Sequence, residues 1–385
     1  MPRFQVSPLK HPIPIGGNLI TYRGERAFHG LPGFIADALP DGWGWLLMDK
    51  ALRRSGFNPT SVSVLERLAL VGRSAIGALS FEPVHSLDTE GTELSLRQIA
   101  QQITAMTDSA GTSADPAHLL TLLRLGGSPQ GAHPKALVQV DAASGAVSTA
   151  VEGKGTPWLV KFPASGEHRE VCALEELYAR AARAGGLEMP QSRFFDLGRQ
   201  HSALGVERFD RHLLHERGRA HTLRVPVMSF AAALEADYRL PSLDYETILN
   251  ATLRITGDQR ELLKAFERCV WNVLLHNRDD HAKNFALRMD PQGFWKLAPV
   301  FDFTFSHGPG GEHATSVLGH SKGITLESLS TLAKKCGIKP KAAEQVLENA
   351  LTQRGMLAQL ARELPIRKAT VEAVLRTLRE TAGVA

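Results

Sequence analysis

Two adjacent carboxylates, a histidine, a lysine and an asparagine crowd the stretch HNRDDHAKNFAL, His276 to Leu287. A further carboxylate, Asp302, stands between two phenylalanines in APVFDF, Ala298 to Phe303. In that order these residue types suit phosphoryl transfer. A carboxylate orients an attacking hydroxyl, and an amide oxygen serves Mg²⁺. After a short hairpin, a second carboxylate grips the metal that bridges the phosphates. Such groups must be polar yet rigidly held, so they belong at the ends of apolar elements, and the helix-like run Leu262 to Leu275 is one. The plain alternative is a solvated loop with a chance cluster of charges. A metal hydrolase with His276, His281 and two Asp as ligands is another, but the block lacks HExxH helix spacing.

Upstream segments supply the other parts. LRLGGSPQGAHPKALV, Leu123 to Val138, sets Gly126, Gly127 and Gly131 around Ser128 and then adds Lys135. Glycines let backbone N–H groups approach phosphate oxygens, and a lysine adds charge. The run is neither a Walker A sequence nor a clean GxGxxG, and by itself it reads equally as a turn. TPWLVKFP, Thr156 to Pro163, reads as a buried strand interrupted by Lys161. A lysine there is costly without an anionic partner, unless the strand is an edge and the lysine faces water. VCALEELYARAARAGGLEMP, Val171 to Pro190, has helical spacing at Leu174, Leu177, Tyr178 and Ala181, with Gly185–Gly186 as its stop. Its Glu175, in preference to Glu176, is the acid expected to pair with Lys161. ALGVERFDR, Ala203 to Arg211, reads as a strand ending in a polar turn, the place of a nucleotide hinge.

Together these blocks resemble the HipA family of serine/threonine-protein kinase toxins, the kinase halves of type II toxin–antitoxin pairs. The matching blocks are GAHPK, WLVKFP, VERFDR, DDHAKNF and FDF, in family order between Gly126 and Phe303. LPDGWGWLLMDKAL and VGRSAIGALSF (Val71 to Phe81) resemble the family's N-terminal region. The resemblance implies that Asp279 accepts or orients the hydroxyl proton, that Asn284 and Asp302 hold Mg²⁺, and that ATP is the donor. It implies nucleotide contacts from Gly127, Ser128, Gly131, Ala132, His133 and Lys135, from Lys161, from Glu207, Arg208 and Phe209 at the hinge, and from His281 and Lys283. Ser128 takes the place of the family's autophosphorylated serine, whose modification draws the loop outward and shuts off ATP binding. The implied partners are a protein substrate and a small helix–turn–helix antitoxin encoded nearby, through which alone DNA is reached.

Two departures bear on those expectations. The family's first strands are short or missing before Phe4. Some relatives carry that piece on a separate small protein, so a protein completing the N-terminal subdomain is a further expected partner. The segment Arg224 to Ile248 lacks the family's acidic-glutamine signature, so no particular protein substrate is carried over.

A chain of 385 residues suffices for one large or two medium domains. Its 43% hydrophobic and 22% charged content is that of an ordinary globular protein, and a net charge of +4 is too mild to demand nucleic acid. No apolar run reaches the ~18 residues of a membrane span. The start, MPRFQVSPLK, does not read as a secretory signal. Cys172, Cys269 and Cys336 are isolated in helix-like patterns, as buried thiols in a reducing cytoplasm would be.

Helices are expected at Gly33 to Leu39, Trp43 to Ser55 and Ser63 to Leu70, a linker at Thr107 to Pro116, and a hairpin turn between Val140 and Gly155. The expected fold is α+β: a bilobal protein-kinase-like fold with a shortened N-terminal subdomain (1–110), an N-lobe-like region with loop and hinge (111–215) and a mostly helical C-lobe (216–385). Ser330 to Leu351 also has helix–turn–helix spacing with Lys334, Lys335, Lys339 and Lys341, though two packed C-lobe helices with a solvated lysine face would look the same. The expected activity is ATP-dependent phosphorylation of a protein serine or threonine in the cytoplasm. A small-molecule kinase and a non-catalytic DNA-associated co-regulator are the alternatives.

Overall fold

The computed structural model describes residues 5–7, 11–12, 26–84, 94–108, 122, 131, 133–141, 143–149, 155–216 and 219–381. In chain order the strands are β1 (Gln5–Ser7), β2 (His11–Pro12), β3 (Lys135–Val140), β4 (Val147–Ser148), β5 (Thr156–Lys161), β6 (Ser192–Asp196), β7 (Ser202–Glu207), β8 (Arg211–Glu216), β9 (Arg219–Arg224), β10 (Val227–Ser229), β11 (Leu243–Asp244), β12 (Ala286–Met289), β13 (Trp295–Leu297) and β14 (Thr315–Ser316). The helices are α1 (Gly33–Ala36), α2 (Gly42–Arg54), α3 (Val64–Val71), α4 (Leu96–Asp108), α5 (Glu170–Ala184), α6 (Phe230–Leu234), α7 (Tyr245–Thr256), α8 (Gln259–Leu274), α9 (Leu326–Lys335), α10 (Pro340–Leu360) and α11 (Lys368–Glu380). They fall into two compact units. One comprises Met1–Ala36, Leu174–Met189 and Val227–Ala385, and the other Asp37–Ala173 and Pro190–Pro226.

The second unit is built on an antiparallel sheet in the order β4-β3-β5-β7-β6. One face is apolar: Ala136, Val138, Val160, Phe195 and Ala203 join a core completed by Trp43 and Leu47 of α2 and by Leu96, Ile99, Ile103 and Met106 of α4. The α4 residues recur at three- and four-residue intervals, which is why this helix can lay one stripe on the sheet. Side chains alternate along a strand, so the other face of the same strands carries Lys135 and Lys161. The register sets these two lysines directly opposite each other, and both are buried, 4% and 8% exposed. β8 and β9 form a separate hairpin paired from Arg211–Arg224 to Glu216–Arg219.

The first unit is mostly helical. α7 and α10 pack on α8, whose Leu262, Phe266, Val270 and Trp271 are fully buried. Asp244 and Asp258 cap α7 and α8 by accepting from Glu246 N and Arg260 N. The chain leaves α5 through two glycines with different reasons. Gly186 sits at φ +84, and a Cβ on Gly185 would strike the Trp271 ring. In α9, Leu329 and Leu332 are fully buried, and Lys335 pairs with Glu246 of α7 at 2.9 Å. Lys334, Lys339 and Lys341 are exposed. The basic pair α9–α10 is therefore two packed helices with a solvated lysine face. Cys172, Cys269 and Cys336 are free and buried. Among the described residues no helix is long and apolar enough to cross a membrane.

Candidate active site

α8 leads into the block His276 to Leu287. Its last turn closes with Asn277 N donating to Asn272 O (2.8 Å), and His276 takes a left-handed conformation, φ +58, that turns the chain out of the helix. The His276 ring stacks on Phe305 with centroids 5.3 Å apart, and its Nδ1 meets Thr381 Oγ1 at 2.9 Å. Burial first, then the charge of Arg278, pushes the imidazole down to about 3, so His276 is neutral at ordinary pH. It supports the loop as a packed ring.

The two adjacent carboxylates have different surroundings. Asp280 is fully buried. Its oxygens accept from Tyr245 Oη (2.8 Å), His313 Nδ1 (2.8 Å), Ala314 N (2.8 Å) and Thr315 N (3.3 Å). Behind it runs a buried chain: Asn277 donates to Asn272 Oδ1 (2.9 Å), Asn272 to Tyr245 Oη (2.9 Å), and Tyr245 to Asp280. Each bond polarises the next. Asp279 points the other way, its side chain 59% exposed and 3.9 Å from His281 Nε2. Asp280 anchors the loop, and Asp279 is the exposed carboxylate of the pair.

A single 3₁₀ turn, Ala282–Asn284, follows. Asn284 Nδ2 donates to the Asp279 carbonyl at 2.6 Å, so the amide orientation is fixed with its nitrogen toward the loop and its oxygen turned from it. The hairpin β12–β13 then returns the chain to Phe301–Phe303. Phe303 is buried edge-on to Tyr178 at 5.4 Å and Trp271 at 6.1 Å. Asp302 lies at φ +50, a conformation rare outside glycine that often marks functional sites. The two loops run side by side: Arg278 N donates to Ser306 O (3.2 Å) and Ser306 N to His276 O (3.0 Å). Asn277, Asn284, Phe301 and Phe303 line one pocket.

Oxygen donors from Asn284 and Asp302 suit a hard cation such as Mg²⁺, which binds through one or two protein ligands plus phosphate oxygens and water. Among the described residues no group of three or more His, Cys, Asp or Glu could hold a metal. With Asp280 held by four donors, the block offers the hydrolase arrangement no such set among the described residues.

In the second unit, Lys135 and Lys161 put two positive charges side by side on one sheet face. At the end of β7, Glu207 N donates to Gln191 O and Arg208 N to Pro157 O. The Arg208 guanidinium grips Asp210 at 2.9 and 2.7 Å. Asp210 also accepts from Gly77 N (2.8 Å) and Arg211 Nη1 (2.8 Å), while Arg211 donates to Ala75 O and Gly77 O. The block Val71 to Phe81 thus cradles the segment that follows β7.

Comparison with known proteins accords with this geometry. The HipA-like C-terminal domain matches residues 127–356, and the HipA N-terminal domain matches residues 3–82. The chain belongs to the HipA family. A solved complex of HipA, HipB and operator DNA from Shewanella oneidensis MR-1 contains a similar chain, with TM-score 0.65, 16% identity and coverage of 91% of this chain and 83% of that one. At that identity the likeness speaks for the fold, and the α+β fold expected of a HipA chain is the fold observed. The Helicobacter pylori proinflammatory kinase CtkA matches with TM-score 0.38 and 12% identity over 60% of this chain and 90% of that one. The putative kinase Y4dM of Sinorhizobium fredii is 26% identical over 219 residues, 52% of this chain. The chain spans about half the length, 51%, of this curated relative.

The HipA-like site residues stand as follows. Asp279, His281, Lys283, Asn284 and Asp302 belong to the first unit, with Lys283 Nζ 4.2 Å over the Tyr238 ring. Lys135, Lys161, Glu207, Arg208 and Phe209 belong to the second. His133 faces Glu167, its Nε2 3.1 Å from both carboxylate oxygens. On α5, Glu176 is buried and bound by Arg180 (2.8 Å) and Arg183 (3.6 Å), and Glu175 is half-buried. Gly127, Ser128 and Ala132 lie outside the described residues, as do 109–116 of the expected linker. Sequence reasoning missed the Tyr245–Asn272–Asn277 chain and the Asp210–Arg211 cradle. The signal available for the latter was an Asp-Arg pair beside Phe209, too costly to bury unless mutually paired.

Proposed function

We propose that the chain is an ATP-dependent serine/threonine-protein kinase of the HipA kind. The observation that carries the reading is the exposed Asp279, with Asn284 tethered to its backbone and Asp302 held left-handed on the adjoining loop. Asp279 takes or orients the proton of the substrate hydroxyl, and its fixed position lowers the entropic part of the barrier. Asn284 and Asp302 hold Mg²⁺, which when bound neutralises phosphate charge. Lys135 and Lys161 draw the phosphates, and Glu175 is the acid of the lysine–glutamate pair. The hinge residues Glu207, Arg208 and Phe209, with His281, Lys283 and the loop residues Gly127, Gly131, Ala132 and His133, serve the nucleotide. Ser128 is the self-inactivating phosphorylation site, since a phosphoserine brings ~−1.5 to −2 charge into a loop shaped for phosphates. The three-part division at about residues 110 and 215, a cytoplasmic location and a protein substrate belong to the same proposal. The Shewanella HipA complex contains HipB and operator DNA. By analogy the partner here is a small helix–turn–helix antitoxin encoded nearby.

Mass spectrometry of cells expressing the wild type or Asp279→Asn tests the reading. Phosphorylated cellular proteins and phosphorylated Ser128 are expected only with the wild type, with a loss of ~10²-fold or more in transfer rate. Identical phosphopeptides from both would sink it.

A further inference from the structure

We propose that Asp41 is a positioning residue that latches the glycine-rich loop to the start of α2; the inference rests on the reading of that loop as the phosphate-binding element. Asp41 occupies the N-cap position, with an extended backbone (φ −130°, ψ 178°) and a carbonyl that accepts from Gly44 N at 2.9 Å. An aspartate there ordinarily bonds the free N–H groups of its own first turn. This one makes no such bond. Its Oδ1 instead accepts the N–H of Gly131, 90 residues away in the chain. Trp43 N, one of the first-turn donors, gives its hydrogen to the Gly131 carbonyl at 3.3 Å. Both the N–H and the C=O of Gly131 are therefore held by one helix start, and the helix has given up a cap to do it.

What the latch holds is the neighbour of a phosphate-facing lysine. Gly131 lies at φ +105, a conformation that L side chains rarely adopt, and a Cβ there would collide with Lys135 Nζ. The ammonium is thus packed under the latched glycine, four residues before β3 begins to carry Lys135 along the sheet. Fixing Gly131 fixes the point where the loop enters the sheet and the space left to that ammonium. The stretch LPDGWGW acquires a task in nucleotide handling without touching the nucleotide.

The test compares full-length wild type, Asp41→Ala and Asp41→Asn by residue-level amide hydrogen exchange and by ATP kinetics. For Asp41→Ala we expect exchange at Gly131 to rise about tenfold or more, with α4 and β6 unchanged, because a charge-assisted hydrogen bond is lost. The KM for ATP should rise about tenfold while kcat changes less than about threefold, the signature of lost ground-state positioning. Asp41→Asn keeps an acceptor oxygen and should recover most of both effects. Unchanged exchange at Gly131 in Asp41→Ala would overturn the latch, and so would a rise spread evenly over α4 and β6. If Asp41→Ala does not fold, Asp41→Asn against Asp41→Ser gives the same decision. A wild type without ATP turnover would refute the kinase reading alone, since the exchange measurement decides the latch independently.

Discussion

Replacing Asp280 by Asn takes a buried anion away from four donors and turns one of its oxygens into an NH₂ facing them. We expect Asp280→Asn to lower the unfolding free energy by roughly 1–3 kcal/mol. The exposed Asp279→Asn should leave it within about 0.5 kcal/mol. Urea titration of the two variants measures the contrast, and equal effects would erase the division of roles between the neighbours. Asp302→Ala removes a carboxylate suited to a hard cation, so ATP affinity should lose its Mg²⁺ dependence. Calorimetric titration with and without Mg²⁺ reads this directly, and a retained dependence would place the metal elsewhere. By residue type alone Asp279 and Asp280 are indistinguishable, and only the family resemblance picks out Asp279. What separates them is Tyr245 and His313, 35 and 33 residues away, and no local pattern announces such partners. Lys161 was legible because a lysine among Trp, Leu, Val and Phe already implies an unusual environment.

At the scale of elements, local chemistry made the helices readable. The expected Trp43 to Ser55 is α2, Ser63 to Leu70 is α3 with Ser63 and Glu66 forming its capping box, and the Gly185–Gly186 stop follows the end of α5. The β8–β9 hairpin was not foreseen, because RHLLHE and RAHTLR carry almost no β-branched or aromatic residues. The Arg208–Asp210–Arg211 cluster near that hairpin carries a pH dependence. Burial pushes the Asp210 carboxyl up, but Arg208 and then Arg211 more than offset this and hold it at about 2. Its folded value lies below the unfolded 3.8, so the stabilisation is present above about pH 4 and is lost as pH falls toward 2. It amounts to roughly 2 kcal/mol. Denaturant titrations at pH 5 and pH 2.5 should show wild type losing more stability than Asp210→Asn. A parallel fall in both would assign the acid sensitivity to other groups.

At the scale of the whole molecule, the order of blocks identified the family where single motifs were weak, because each part of a phosphoryl-transfer site constrains the next. Co-expression with neighbouring genes should let a small DNA-binding protein co-purify with this chain. A kinase that emerges alone, with toxicity indifferent to those genes, would end the toxin–antitoxin assignment and leave the phosphoryl chemistry standing. The three buried cysteines have a practical consequence. Burial pushes the Cys269 thiol well up and the Cys336 thiol to about 11, and only a thiolate reacts readily. We therefore expect a thiol reagent to label Cys269 and Cys336 slowly in the folded chain and faster as it opens. Cys172 belongs to one compact unit, and Cys269 and Cys336 to the other. The chain carries its own clock. Peptide-resolved labelling of Cys269 and Cys336 would time the opening of their unit, with and without nucleotide, and without any engineered probe.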